Sequence, residues 1–396
     1  VTVTAARKEQ SVQDVAISVQ AITNDDLTDQ HIDTADDLKS AVPGFDFTEA
    51  LGGGVGLKIR GLAFATIGSA GTAPAITAQN GHQIGNRVFS TTGFYDADRI
   101  EILEGPQGSL YGRNSTTGLI NFITAKPGAD QYVTLSAGAD GLSQLKFARD
   151  FDFGDGASMR LAGVKYDKDG VVYNAGTGND IDGRDTYGIR STFEFVMDDQ
   201  NTLTFQYEKL SVNDTRQNYG LSACNRDAFF GCNPLTESFV PHLNRPVMVT
   251  GSVSNTFNAL TDINASGDDL FAATDAARVN SIDSINKDVD PTRTENFEMG
   301  AITNVTELDD MTITLKATHI HSAYEHTTDN DHSNATGALN GTFIPAPAFV
   351  IPTLRTVCFG DLKNVTTDRA FECTDLSGTS QQYEVNIVSD FDGPFN

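Results

Sequence analysis

From residue 131 onward the chain consists of stretches whose side chains alternate between apolar and polar, joined by connections that are short and long in turn. No other feature of the sequence restricts the fold as much. In Tyr187 to Phe195, the residues Tyr187, Ile189, Phe193 and Phe195 share one face while Arg190, Thr192 and Glu194 share the other. In Leu203 to Glu208, Leu203, Phe205 and Tyr207 oppose Thr204, Gln206 and Glu208. A protein core cannot bury both faces without stranding charges, whereas lipid on one side and a wet lumen on the other accommodates both. A soluble sandwich also alternates, with its polar face outward, so the connections have to decide. Strands are predicted near 131–138, 143–152, 158–166, 186–197, 202–212, 291–306, 311–324 and 380–391. Phe153 to Ala157, Asp198 to Asn201 and Glu307 to Asp310 are tight acidic or glycine turns, while 167–185, 213–290 and 325–379 are long; Ala139 to Leu142 alone breaks the alternation. Tight turns at one end and long loops at the other are the arrangement of an outer-membrane barrel. Structureless connections of such length are foreign to a compact soluble domain.

Charge and composition narrow the partners. The formal net charge is -26, a field that repels the phosphates of nucleic acid. No stretch reaches the ~18 consecutive apolar residues of a spanning helix, which leaves barrel strands untouched as a possibility. The chain opens at Val1 without a charged and then apolar leader, so an export signal is expected to have been removed or to lie outside the sequence. About eight strands do not enclose a lumen large enough for the N-terminal domain. The sequence stops at Gly393-Pro394-Phe395-Asn396 in what reads as a periplasmic turn, and a fragment of a longer protein is expected. Cys224 with Cys232 and Cys358 with Cys373 form two local pairs inside long polar segments. Two loop disulfides in an oxidising compartment are the expected reading. A zinc site is the rival, although neither pair has the CxxC spacing.

Residues 1–128 follow a different grammar, that of a compact α+β domain. Strands are predicted at Ile17 to Ile22, Leu57 to Arg60, Arg99 to Leu103 and Leu119 to Thr124, with a short helix over Asn24 to His31. Thr34 with Asp37 predicts a capping box for a second helix that ends before Pro43-Gly44. Residues 62–95 have almost no periodicity.

Several motifs of this first region together resemble the plug of TonB-dependent outer-membrane receptors. Val1-Thr2-Val3-Thr4-Ala5 is similar to the end of a TonB box, followed by Arg7-Lys8-Glu9 and Val15-Ala16-Ile17-Ser18-Val19. Leu38 to Gly44 ends in Val-Pro-Gly, and Ile59-Arg60-Gly61 matches the plug's Ile-Arg-Gly. Asp98-Arg99-Ile100-Glu101-Ile102-Leu103-Glu104-Gly105-Pro106 resembles its Arg-Val-Glu-Val-Leu-x-Gly-Pro run. Leu110-Tyr111-Gly112 and Ile120-Asn121-Phe122-Ile123-Thr124 resemble the plug's end, and Ser389 to Gly393 looks like a family turn. Two positions depart from the pattern: Asn80-Gly81 stands where Asp-Gly is usual, and Glu104 where an arginine is usual.

The resemblance implies an α+β plug over 1–128, then antiparallel transmembrane strands over 129–396, about eight of the roughly 22 of a full barrel. It implies energy-coupled import of a scarce nutrient, a ferric siderophore by family prior, with oligosaccharide, haem or cobalamin as alternatives; no chemistry is done on the cargo and no cofactor is called for. The implied place is the outer membrane of a Gram-negative bacterium, with the box in the periplasm, the long loops outside and lipid around the barrel. TonB and its inner-membrane energising complex are the implied partners. Val1, Thr2, Val3, Thr4 and Ala5 should be an extended, loosely held segment able to add to a sheet edge of TonB. Arg60 and Arg99 resemble plug arginines that pair with barrel glutamates, and Glu101 joins them as an expected plug–barrel contact. Phe64, Phe89, Phe94 and Tyr95 are the candidate cargo contacts at the apex. His319, His321, His326 and His332 cluster in sequence and could hold a metal or haem, against the plainer reading of loop surface. Asp167-Lys168-Asp169-Gly170 and Asp180-Ile181-Asp182-Gly183 lack calcium-loop spacing and read as solvated loop. A passive porin, lacking plug and box, and a soluble β-rich binding module are the rivals from other classes.

Overall fold

A computed structural model describes residues 2–4, 10–62 and 75–216 apart from positions 16, 36, 50–54, 86–87, 89–92 and 113. It also describes 226–227, 231–232, 284–285, 289–329 and 371–389. Phe64, Phe89, Cys224, Cys358, His332, Val1, Ala5 and the Arg7-Lys8-Glu9 run lie outside the described residues, and so does the disulfide question.

The N-terminal domain opens with β1 (Thr2–Val3) and β2 (Gln10–Ser11), which pair with each other. β3 (Val19–Thr23) leads into α1 (Asn24–Asp29) and α2 (Leu38–Ala41). Then come β4 (Phe45–Glu49), β5 (Val55–Ile59), β6 (Ala75–Gln79), β7 (His82–Gln83), β8 (Ala97–Glu104), α3 (Gly108–Tyr111) and β9 (Gly118–Thr124). Five strands make the main sheet in the order β3-β8-β9-β6-β7, and β4 pairs with β5. The helix start that obeys the capping-box rule is α1: Thr23 Oγ1 accepts the Asp26 N–H, and Asp26 accepts the Thr23 N–H at 3.0 Å. At the expected second box Asp37 accepts the Thr34 N–H at 2.8 Å, but no side chain caps α2 itself, so only half of that motif forms. β6 and β7 fall in the stretch read as aperiodic. All five residues of β6 are buried, and a strand enclosed on both faces carries no alternation to read. The turn between them, Asn80-Gly81, has φ +50° and +78°, the left-handed pair that a two-residue type I′ hairpin demands and that Asn-Gly supplies at least strain.

The second region is a meander of eight antiparallel strands in sequence order. They are β10 (Tyr132–Ala137), β11 (Ser143–Gly154), β12 (Ala157–Lys168), β15 (Arg184–Val196), β16 (Asn201–Asp214), β20 (Thr292–Leu308), β21 (Met311–Asp329) and β22 (Phe371–Ser389). Short outer strands β13 (Val172–Asn174), β14 (Asn179–Ile181), β17 (Arg226–Asp227), β18 (Gly231–Cys232) and β19 (Ser284–Ile285) lie in the long connections. Each predicted strand is present within a few residues, except that β22 begins nine residues earlier and β21 runs five further. At ~3.3 Å per residue and ~40° tilt, a strand of 19 residues climbs roughly 48 Å, well beyond the ~25 Å apolar band of such barrels.

Burial is inverted relative to a water-soluble protein. Tyr187, Ile189, Phe195, Phe205 and Tyr207 are about two-fifths exposed, while Arg190, Thr192, Gln206 and Glu208 are almost fully buried. The cause is that the N-terminal domain covers the polar face. The expectation of a uniformly wet, polar lumen needs correcting in the middle rows: Leu210, Val212, Phe297, Met299 and Ile320 face inward and form one apolar cluster with Leu57, Ile84, Val88, Phe94 and Ile100 of the N-terminal domain. Where protein fills a lumen, apolar inner rows are stabilised by burial rather than penalised by water.

Candidate functional site

Three sets of contacts seat the N-terminal domain against the wall. At the first, Asp96 sits at φ +52° just ahead of β8. Its carboxylate takes Nε (3.0 and 3.1 Å) and one NH2 (2.7 Å) of Arg160 in a forked geometry. Arg160 also donates to Asp150 at 2.9 Å and to the carbonyls of Ala129 and Asp130. Arg190 donates to the carbonyls of Tyr95 and Asp96 at 3.0 and 2.9 Å, and its guanidinium stacks 4.6 Å from the centre of the Tyr95 ring. Glu208, 3.6 Å from Arg190, accepts the Tyr95 hydroxyl at 2.7 Å and an amide hydrogen of Gln79. Burial, followed by the negative charge of Glu208, pushes the Tyr95 hydroxyl well above its ordinary pKa. Charges so completely withdrawn from water survive only when paired and hydrogen-bonded, and here each has such partners.

The second set gathers at the β6–β7 turn. Asn80 donates to Gln206 at 3.2 Å, and the Lys316 ammonium donates to the Asn80 carbonyl at 2.8 Å. The two ring nitrogens of His82 meet the hydroxyls of Thr318 and Thr303. Gln382 clasps β7 from two sides, accepting the Gln83 N–H at 3.2 Å and donating to its carbonyl at 2.8 Å. A third contact is the ion pair of Lys146 with Asp33.

The expected plug–barrel arginines find their carboxylates inside the N-terminal domain. Arg60 donates to Glu104 at 2.7 and 3.1 Å, and Arg99 to Glu101 at 2.8 Å and to Asp98. The polarity of the seat is thereby reversed: the domain contributes the acid Asp96, and the wall contributes Arg160 and Arg190. The replacement noted at Glu104 explains part of this, because it gives Arg60 a partner within its own domain.

Among the described residues, Glu101 too finds its partners within the N-terminal domain. It accepts the Thr4 N–H at 2.8 Å and the Thr4 hydroxyl at 2.9 and 3.1 Å, and Tyr111 donates to the Thr4 carbonyl at 3.4 Å. Val3 is fully buried among Leu103, Tyr111 and Leu119. Residues 2–4 are therefore extended, as expected, but held rather than loose. Two candidate cargo contacts are also committed elsewhere: Phe94 stacks on Phe122 at 5.8 Å, and Tyr95 is bound to Glu208 and Arg190. The histidines divide between faces. His319 and His321 are exposed on the outer face, whereas His326 is buried on the inner one, stacked on Tyr324 at 6.2 Å. Among the described residues, no three His, Cys, Asp or Glu side chains converge as metal ligands.

Asp96, Gln79 and His82 escaped sequence reading because nothing local distinguishes a seat residue from a loop residue. Arg190 and Glu208 were legible as a polar face, and pairing β15 with β16 places them directly opposite.

The TonB-dependent Receptor Plug Domain family model matches residues 11–119. The Vitamin B12 transporter BtuB of Vibrio vulnificus (strain CMCP6) is 27% identical over 180 residues, covering 41% of this chain and 27% of that protein. The Ferrichrome outer membrane transporter/phage receptor of Escherichia coli (strain K12) is 32% identical over 114 residues, 28% of this chain and 14% of its own length. Among solved structures, the open form of the Ferric-Catecholate import receptor Fiu from E. coli K12 superposes with a TM-score of 0.61 at 15% identity, over 98% of this chain and 48% of that one. The chain thus spans less than half the length of the proteins it resembles.

Proposed function

We propose that this chain, which belongs to the TonB-dependent receptors and comprises their plug domain and part of the barrel, serves energy-coupled import of a scarce nutrient across the outer membrane. The family is one of non-enzymatic transporters, and the work here is displacement of a seated domain rather than chemistry on the cargo. The observation that carries the reading is the seat itself: a domain that matches the plug model is fastened by buried ion pairs and hydrogen bonds to the inner face of a sheet whose outer face is apolar. On this reading the plug spans 1–128, the barrel begins at 129, and the tight turns face the periplasm. Thr2 to Thr4, once undocked, offer TonB an extended segment whose main-chain groups can extend a sheet edge.

The proposed cargo is a ferric siderophore. Its support is the fold shared with receptors for such complexes, among them Fiu. A cobalamin is the second reading, favoured by the BtuB match, which extends past the plug into the barrel. Growth and uptake by cells making the full-length protein, with and without TonB, test both. Labelled ferric siderophores and labelled cyanocobalamin are supplied in parallel. TonB-dependent uptake of the iron complex alone is the expected result; uptake of cobalamin alone transfers the cargo to the second reading, and accumulation of neither, beside a working control receptor, removes both.

A further inference from the structure

Arg149 is a cation on the apolar side of the sheet. On β11 it pairs with Leu161 of β12, which pairs with Ser191 of β15 and through it with Tyr207 of β16. Residues directly opposite one another in an antiparallel sheet point to the same face. Tyr207 is exposed on the outer face, so Arg149 stands there too. Its neighbours on that face are apolar: Phe147 and Phe151 on its own strand, Leu161 across from it, and Val133 of β10 opposite Phe147. Among the described residues no carboxylate pairs with its guanidinium, which lies 5.8 Å from the centre of the Phe151 ring, within reach of a cation–π attraction.

Two lysines of the same outer face are placed differently. Lys165 stands between Asp185 and Asp167, and Lys209 meets Glu298 at 2.6 Å. Both lie in the loop-side halves of β12 and β16, where three acids face two lysines and a further anion is repelled. Arg149 lies in the turn-side half of β11, which ends at Gly154. Phe151 is two residues nearer the turn, so the guanidinium that covers it is directed toward the turn. Phe153 follows, 62% exposed, in the place where aromatic side chains mark the edge of an apolar band. From Arg149 to Phe153 is roughly 10 Å along the membrane normal, at ~3.3 Å per residue and ~40° of tilt. An arginine stem covers most of that gap along apolar surface while its head reaches the boundary.

A guanidinium in such surroundings is costly without an anion, and a phosphate accepts its donors two at a time. We propose that Arg149 holds the phosphate of a phospholipid in the turn-side leaflet, with Phe151 and Leu161 against the lipid's acyl chain. The inference rests on reading the outer face as facing lipid, and it adds a bound lipid and the residue that selects it.

The test uses the full-length protein in a mild detergent, with heat-modifiable migration on a gel as the check that the barrel is folded. Native mass spectrometry then follows titration with dioleoyl phosphatidylglycerol or with dioleoylglycerol, which has the same acyl chains and no phosphate. The phospholipid is expected to be retained about tenfold more tightly than the diacylglycerol. Arg149→Gln should abolish that preference and Arg149→Lys should keep part of it, while Lys209→Gln, whose cation already has Glu298, leaves it unchanged. Retention of the phospholipid no better than the diacylglycerol overturns the proposal without recourse to any variant, and so does an undiminished preference in Arg149→Gln. An equal loss in Lys209→Gln overturns it in favour of diffuse charge attraction, and displacement of the lipid by millimolar inorganic phosphate overturns the lipid as the source of the anion. A wild-type protein that is not heat-modifiable sinks the barrel reading beneath the proposal; a heat-modifiable one with no preference between the two lipids sinks the proposal alone.

Discussion

The carboxylate of Glu101 accepts both the backbone N–H and the hydroxyl of Thr4, joining the N-terminal segment to the middle of the plug sheet across 97 residues of chain. The same carboxylate receives Arg99 Nε at 2.8 Å and Asn121 Nδ2 at 3.4 Å. It therefore serves three residues at full burial. Glu101→Gln keeps the shape but replaces one acceptor with a donor and removes the charge facing Arg99. Leaving buried donors unsatisfied costs about 1–3 kcal/mol, about tenfold or more in the docked population. A spin label at Thr2→Cys in the full-length protein should accordingly show a mobile component that is absent when Glu101 is intact. Superimposable spectra would remove Glu101 from this role.

Asp96→Asn isolates the charge of the main seat, because asparagine tolerates the left-handed backbone that Asp96 adopts at φ +52°. Arg160 keeps Asp150 and Arg190 keeps Glu208, but the carboxylate they share is lost. Breaking one side of a buried pair costs about 3–5 kcal/mol. Urea titration of plug release, followed by protease access to the β9–β10 connection, should show a clearly lower midpoint for the variant; an unchanged midpoint would mean that the Asp96 charge does not hold the plug.

How much of this was legible depended on whether a feature is local. The strands of the meander could be read because they carry an apolar outer face and a polar inner one, so Phe205 and Gln206 declare their sides in sequence. β6 could not, because Ala75, Ile76, Thr77, Ala78 and Gln79 are all enclosed and their pattern carries no period. The partners that Arg60 and Arg99 have among the described residues, Glu104 and Glu101, are hard to read from sequence for a related reason: a salt bridge is chosen in three dimensions, not along the chain. The docking of Val3 was invisible because an exposed-looking β-branched end and a buried edge strand have the same composition.

Glu104 gathers three neighbours that are remote in sequence: Arg60, Ser18 at 3.1 Å and Gln20 at 3.1 Å. Burial alone would raise its pKa, but the hydrogen bonds and charge of Arg60, with those of Ser18 and Gln20, outweigh that and hold it below the ordinary 4.5. A depressed carboxylate contributes stability that is fully present above its unfolded-state pKa and lost as pH falls through the folded one. Hydrogen exchange of the β3 amides should thus be pH-independent, after correction for intrinsic rates, down to about pH 5, and accelerate below it. Because Arg60 is largely exposed, salt should weaken the effect. In Glu104→Gln the acid-dependent step should disappear, and its persistence would assign it to another group.

Phe205 and Phe297 lie on adjacent strands and point to opposite faces of the sheet, so changing each separates the two interfaces of the sheet. Phe205 is 39% exposed on the outer face, whereas Phe297 is 1% exposed within the cluster shared with the plug. An arginine on the lipid face near mid-membrane costs about 2–4 kcal/mol, so Phe205→Arg should lower the yield of folded, heat-modifiable barrel while leaving plug seating in the inserted molecules unchanged. Truncating a buried phenylalanine costs about 3–5 kcal/mol, so Phe297→Ala should leave gel mobility of the barrel intact and lower the urea midpoint for plug release. The crossed outcome, with Phe297→Ala impairing insertion and Phe205→Arg loosening the plug, would reverse the assignment of the sheet's faces and with it the membrane placement of the whole chain.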